Sequence, residues 1–244
     1  MLSLFRSLYL LKINKCTISV SEMWIENMRC KECDQISVKN GKSSSGEQRY
    51  YCIFCKKSFQ SKYIYKACLP KVNTKLVKLL KEGCGIRSIS RLLSVSPTTT
   101  TKRILLISSQ IKRPPIVMGK IYEVDELCTY IGCKNKKRWV AYSLRRDTKE
   151  VTNFVVGTRT KRTLQQIVNS LILSEAKTIY TDKLNIYKSL ISERVHCTKQ
   201  YSTNHIERMN LTLRTHLKRL NRKTICYSKN ILMLIACLKI YFWG

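Results

Sequence analysis

Acidic residues are the scarce component of this sequence. Its 244 residues include 15 Asp and Glu against 46 Lys and Arg, a formal charge of +31. Two long stretches, Gly83 to Tyr122 and Arg208 to Gly244, contain no acid at all. A compact chain with so large an excess of one sign repels itself, and a polyanion whose released counterions drive binding rationalises it most simply. Nucleic acid is therefore the expected partner, ahead of an anionic membrane surface or an acidic protein. The two acid-free stretches imply two basic faces on either side of an acid-containing middle.

Membrane-length apolar runs are missing too. Ile231 to Leu238 is uniformly apolar, but Lys239 cuts it well short of the ~20 residues that span a bilayer, so it reads as a buried core helix and no membrane association is expected. Met1 to Lys12 is broken by Arg6 and Lys12, and no small-residue cleavage site follows, which argues against a signal peptide. The 12 cysteines do not form a disulfide framework, because four make an ordered pair of pairs and eight are scattered. A reducing cytoplasm, with the chain on the nucleoid, is the expected location. An apolar content of 44% excludes global disorder.

Residues 1–25 carry no usable motif and read as an extension. Cys30-Lys-Glu-Cys33 and Cys52-Ile-Phe-Cys55 are two C-x-x-C knuckles with 18 residues between them, a spacing that delivers four thiolates tetrahedrally to one structural Zn²⁺. With the turn at Lys39 to Gly46 and a short strand at Gln48 to Tyr51, residues 26–66 read as a zinc ribbon. Four buried free cysteines are the plainer alternative.

Residues 70–111 read as a helix-turn-helix module. Val72, Leu76, Leu79 and Leu80 share one helical face, Gly83-Cys84-Gly85 stops that helix, and Ile86 to Leu93 forms a second. Ser96 is placed to cap a third, with Pro97 at its first position. In such a module the second helix of the motif lies in the major groove, so Thr98, Thr99, Thr100, Lys102 and Arg103 are the expected DNA contacts. A helical hairpin acting as a spacer would carry the same pattern. Residues 112–119, with Pro114 and Pro115, read as a stiffened linker.

From residue 120 to 244 the period changes. Ile121 to Ile131, Arg138 to Leu144 and Val151 to Val156 read as an antiparallel meander, joined at Lys134 to Lys137 and at Arg145 to Glu150. A helix, a short strand at Ala176 to Thr181, a helix at Leu184 to Ile191, a strand from Val195 and a long helix from about Ser202 follow. The order β-β-β-α-β-α-β-α is that of a ribonuclease H-like α/β domain, a mixed five-stranded sheet with helices whose first and fourth strands lie side by side.

Asp182 ends a buried strand, where α/β sheets place their chemistry. On the last helix Ile206, Met209, Leu213, Leu217 and Leu220 form the stripe that packs on the sheet, and Glu207, Arg214 and Lys218 share a line beside it. Lys218 is counted with the DNA contacts, whereas His205 projects on the other flank. The 25-residue separation of Asp182 and Glu207 carries no information, since other acid pairs share it. A third carboxylate is expected from the first strand, where Asp125 is preferred over Glu123 and Glu126 because a buried central strand has no other reason to carry an unpaired acid. Three such carboxylates suit two Mg²⁺ or Mn²⁺ ions for in-line phosphodiester displacement. Helix caps and surface ion pairs are the plainer alternative.

These residues resemble the DDE transposases of the bacterial insertion sequence 1 family. The likeness runs through Val38-Lys39-Asn40-Gly41-Lys42, Gln48-Arg49-Tyr50-Tyr51 and Cys55-Lys56-Lys57-Ser58-Phe59. It continues through Val124-Asp125-Glu126-Leu127, Tyr130-Ile131-Gly132, Arg138-Trp139, Tyr180-Thr181-Asp182, His196, Lys199, Ile206-Glu207-Arg208, Asn210-Leu211 and Leu213-Arg214. The resemblance implies a catalytic triad of Asp125, Asp182 and Glu207 with Arg214 as the associated basic residue. It further implies cleavage and strand transfer at terminal inverted repeats of double-stranded DNA, by a homo-oligomer that pairs two ends. Cys128, in place of an aromatic residue, and Lys183-Leu184, in place of Gly-Trp, depart from the family pattern beside the expected metals. A repressor with a decayed catalytic half and a nuclease of the same fold without strand transfer are the alternative functions.

Overall fold

The computed structural model describes residues 28–199 and 202–244; the extension expected over residues 1–25 lies outside them. These residues divide into two units, one ending at Tyr63 and one running from Ile64 to Gly244.

In the first unit β1 (Val38–Lys42), β2 (Gln48–Cys52) and β3 (Lys57–Gln60) form an antiparallel sheet in that order. Ser43 N–H donates to Glu47 O at 2.9 Å and closes the first turn. Tyr50 and Phe59 are register partners whose rings stack at 5.8 Å, the kind of cross-strand pair that stabilises a small sheet.

The second unit is organised around β4 (Ile121–Ile131), the middle strand of a five-stranded sheet. β4 pairs antiparallel with β5 (Cys133–Arg145), β5 pairs antiparallel with β6 (Val151–Gly157), and β4 pairs parallel with β7 (Thr178–Tyr180). β8 (His196–Cys197) follows β7 in parallel, so the order is β6-β5-β4-β7-β8. This mixed sheet with its intervening helices is a ribonuclease H-like arrangement, with the first and fourth strands of the domain adjacent. The Lys134 to Lys137 segment, expected as a connection, is instead the start of β5. The chain turns at Gly132, whose φ of 76° is open to glycine at no steric cost.

Alternation along β4 sends its side chains to opposite layers. Tyr122 and Val124 pack with α4 (Lys161–Ile172) and α5 (Asn185–Lys188) through Leu164, Ile167, Val168, Leu171 and Tyr187. Leu127 faces the other way, with Ile206 and Leu213 of α6 (Asn204–His216) and Leu234 and Leu238 of α7 (Ile231–Trp243). The stripe expected on the last helix is buried at Ile206, Leu213, Leu217 and Leu220 and half-buried at Met209, yet α6 stops at His216. Leu217 leaves the helical region with ψ 92° and Lys218 opens a separate 3-10 turn. Lys218 is therefore not in line with Glu207 and Arg214.

The helical segment before the sheet comprises α1 (Val72–Lys81), α2 (Ile86–Leu93) and α3 (Pro97–Gln110). Ser96 caps α3 by accepting Thr99 N–H at 3.1 Å. This segment does not stand apart from the sheet, because α7 is apolar over most of its circumference, Lys239 excepted, and buries two stripes. Leu234 and Leu238 meet the sheet, while Met233, Ala236, Cys237 and Ile240 share a core with Leu76, Leu80, Ile89 and Ile104. Each buried Leu, Ile or Met side chain among these contributes roughly 1.5–3 kcal/mol, so α7 holds the two layers together. Gly83 tightens the same junction: a Cβ there would lie 2.0 Å from the carbonyl oxygen of His216.

Candidate active site

β7 is three residues long and β4 is eleven, and their pairing ends at Glu123 and Tyr180. Beyond that point the β4 edge opens, and side chains from both of its faces reach the gap. Asp182 enters it two residues after β7. Ligand oxygens of Asp125, Glu126 and Asp182 all lie within 4.8 Å of one another.

Each carboxylate is held differently. Asp125 Oδ1 accepts Glu126 N–H at 2.7 Å, and Oδ2 accepts the Asn210 amide of α6 at 2.6 Å. Tyr142, the register partner of Asp125 on β5, donates its hydroxyl to Asn210 Oδ1 at 2.8 Å and so orients that amide. Burial raises the Asp125 carboxyl to about 6, with the charges of Glu126 and Asp182 adding and the bond from Glu126 N–H opposing. Glu126, buried on the opposite face, accepts from the Tyr187 hydroxyl and from Arg159 Nη2 at 3.1 Å. Burial pushes its pKa upward as well. Asp182 is 41% exposed at the mouth and caps the following turn through Leu184 N–H at 3.1 Å.

Of the expected triad, then, Asp125 and Asp182 come together and Glu207 lies outside the cluster. It is exposed near the start of α6, accepting from the Thr203 hydroxyl at 2.8 Å, and stands one turn before Asn210. Arg214 lies one turn beyond Asn210; its Nε is buried without a hydrogen-bond partner among the described residues. Burial lowers its pKa, the Arg222 charge adds to that, and the Asp125 charge opposes it. Glu123 serves the fold instead. Its buried carboxylate accepts Ile206 N–H at 2.9 Å, contacts His205 Nδ1 at 2.8 Å, and so docks the start of α6 on β4. His205 is thus a buttress.

The residues expected to meet DNA fare unevenly. Thr98 and Lys102 are exposed one turn apart on α3. Thr99 shares its hydroxyl with Ser96 Oγ at 2.8 Å. Thr100 is buried on the face it shares with Ile104, its hydroxyl donating to Ser96 O at 3.0 Å. Arg103 is committed internally, to Asn73 Oδ1 at 3.0 Å and Ala67 O at 2.8 Å. Thr100 and Arg103 are therefore corrected to structural residues, and Lys218 remains exposed, on the 3-10 turn after α6.

In the first unit the Sγ atoms of Cys30, Cys33, Cys52 and Cys55 lie within 4.8 Å of one another, with Cys33 and Cys52 at 3.5 Å. Four thiolates around Zn²⁺ stand about 3.8 Å apart if each Zn–S bond is about 2.3 Å, so the set fits that ion. Backbone N–H groups of Glu32 and Cys33 pull the Cys30 thiol down to about 7, while the Cys33 thiol and burial push Cys55 up to about 12. Four such thiols ionise together only around a cation. Likewise an oxygen of Asp125 and one of Asp182 lie within 4.8 Å of each other, and paired carboxylates of this kind suit Mg²⁺, which is bound through one or two carboxylates.

Glu126 was weighed against Asp125 and set aside, and Tyr187, Arg159, Asn210 and Tyr142 were not singled out as site residues from the sequence. The available signal was Asn210, on the buried face of α6 and one turn from Glu207. A polar residue on such a face needs a partner.

Residues 118–240, just over half of the chain, match the family described as IS1 transposase. The chain is 37% identical over 109 residues to the insertion element IS1 protein InsB of Shigella flexneri, covering 45% of this chain and 83% of that one. It is also 37% identical over 109 residues to the insertion element IS1 4 protein InsB of Escherichia coli K12, covering 45% of this chain and 65% of that relative's length. Among solved structures, the simian T-cell lymphotropic virus intasome in complex with the PP2A regulatory subunit B56 gamma aligns with a TM-score of 0.37 at 16% identity, over 66% of each chain. With a matched family that extends from just before the sheet into α7, and with Asp125 and Asp182 meeting at its open edge, the chain belongs to the IS1 transposase family.

Proposed function

We propose that this chain binds the terminal inverted repeats of its insertion sequence and cuts and joins double-stranded DNA there, acting as a homo-oligomer that pairs two ends. The observation that carries the reading is the meeting of Asp125 and Asp182 where β7 stops and β4 continues. Two Mg²⁺ or Mn²⁺ ions in this site would activate the attacking oxygen and stabilise the leaving one in an in-line displacement.

The protein residues have separable roles. Asp125 presents its carboxylate in one orientation, because Asn210 and Glu126 N–H fix both oxygens and Tyr142 fixes Asn210. Asp182, at the mouth, closes the site from the β7 side. Glu207 completes the triad from α6 by exchanging its bond to Thr203 for the site when DNA and metal are bound. Arg214, within the electrostatic reach of Asp125, is the cation that offsets charge developing on the phosphate. Cys30, Cys33, Cys52 and Cys55 hold a structural Zn²⁺ in a ribbon. The α2–α3 pair acts as a helix-turn-helix whose exposed Thr98 and Lys102, with Thr99 at their edge, face the end DNA, and Lys218 adds a phosphate contact.

Cleavage and strand transfer on DNA carrying the element end, with Mg²⁺, test this reading when wild type is compared with Asp182→Ala. Nicking followed by joining by the wild type alone is the expected result. Tight end binding without cleavage by either protein would instead indicate a repressor, and cleavage without joining a nuclease.

A further inference from the structure

Three acidic groups crowd the opening beside β4, and among the described residues Arg159 is the cation within 4 Å of any of them. It lies between β6 and α4, in the tight loop after Gly157. Its guanidinium rests 4.5 Å above the Trp139 ring, and one nitrogen, Nη2, stands 3.1 Å from Glu126 Oε2 and 3.7 Å from Asp182 Oδ2. The other Glu126 oxygen accepts from the Tyr187 hydroxyl. Glu126 is thus engaged by side chains on both oxygens, whereas on Asp182 the Leu184 N–H holds Oδ1 and Oδ2 meets Arg159 only at the longer distance.

We propose that Arg159 is a positioning residue that sets how tightly this site takes divalent cations. Trp139 parks the guanidinium by a cation–π contact. From that position it retains Glu126 outside the coordination sphere and competes with the incoming ion for Asp182. Asp182, whose contact to Arg159 is 3.7 Å, would be the carboxylate released to an ion, while Glu126 would keep its 3.1 Å bond. The protein thereby tolerates a crowded acidic site before the ion arrives, and it keeps the number of coordinating carboxylates down after. This inference rests on reading Asp125 and Asp182 as metal ligands.

The residue's positive charge close to a doubly charged ion must weaken binding, even at the high effective dielectric of a partly exposed site. Removing it in Arg159→Gln should tighten Mn²⁺ binding roughly tenfold, after that discount for screening. The measurement is Mn²⁺ binding to the full zinc-loaded chain, read from the electron paramagnetic resonance signal of free Mn²⁺. Arg159→Lys, which keeps the charge, should remain near wild type. A damaged fold cannot gain affinity, so tightening separates this role from a merely structural one.

Unchanged or weaker Mn²⁺ binding in Arg159→Gln would overturn the proposal, as would equal tightening in Arg159→Lys. Asp182→Asn distinguishes the two levels. If it abolishes Mn²⁺ binding while Arg159→Gln tightens nothing, the metal-site reading stands and the role of Arg159 falls. If Asp182→Asn binds Mn²⁺ as the wild type does, the metal-site reading falls and the role of Arg159 with it.

Discussion

Replacing Asp125 by asparagine should make the metal-free protein more stable at neutral pH, in a way that depends on pH. The buried carboxyl titrates at about 6 in the folded chain against an ordinary 3.8. Its folded pKa is raised, so between those values the native state binds the extra proton and stability falls as pH rises. At about 1.4 kcal/mol per pH unit, the ionised carboxylate costs ~3 kcal/mol once pH is well above 6. Roughly 2 kcal/mol of that loss develops between about pH 4.5 and pH 7.5. The substituted amide would not titrate, but it offers one acceptor oxygen where Glu126 N–H and the Asn210 amide now find two. That mismatch costs about 1 kcal/mol at every pH, so it cancels when two pH values are compared. Urea unfolding followed by tryptophan fluorescence in EDTA should show the stability of Asp125→Asn relative to wild type growing by ~2 kcal/mol from pH 4.5 to pH 7.5. A difference that stays constant across that range, or that shrinks, would refute the reasoning.

The DNA-facing helix and the cysteine cluster are open to equally direct measurement. Lys102→Ala should weaken binding to end DNA and lower the salt dependence of log K by about one unit, measured by fluorescence anisotropy across a salt series. Arg103→Ala should act chiefly on stability, by ~1–2 kcal/mol in urea unfolding, because its guanidinium is bonded to Ala67 O and Asn73 inside the protein. Cys30→Ser should reduce bound zinc from about one per chain to well below it by metal analysis. It should also open residues 28–63 to limited proteolysis, since a Cys-bound zinc site supplies folding energy directly.

Much of the half that carries the five-stranded sheet was legible because its signals are local. β4 and β6 show as segments rich in β-branched and aromatic residues, the stripe through Ile206 and Leu213 shows as a helix face, and Asp182 shows as an acid just after a short apolar strand. What depended on pairing was less visible. The Lys134 to Lys137 run looks like a loop because its residues are polar or charged, yet it is an exposed extension of β5 on a hairpin that turns at Gly132. Glu126 points away from Asp125 by strand alternation, and only the shortness of β7 lets both reach one opening. The end of α6 carries no Gly or Pro to mark it, so helical periodicity alone carries the line of Glu207 and Arg214 on to Lys218. Thr100 was within reach of sequence reasoning, since it lies four residues before the buried Ile104 and eight before Ser108, on one helical face.

If Asp125 and Asp182 form the metal centre, with Glu207 joining them from α6, an ion bound there must lie beside all three segments of the chain. Iron-directed cleavage of the polypeptide tests this most directly. Fe²⁺ replaces Mg²⁺ in the DNA-bound, zinc-loaded protein, ascorbate and peroxide generate hydroxyl radicals at the ion, and mass spectrometry maps the cuts. The expected cuts cluster around Asp125, Asp182 and Glu207, are suppressed by excess Mg²⁺ and are lost in Asp182→Ala. Cuts confined to other parts of the chain, or cuts near Asp125 that persist unchanged in Asp182→Ala, would contradict a metal centre at this site.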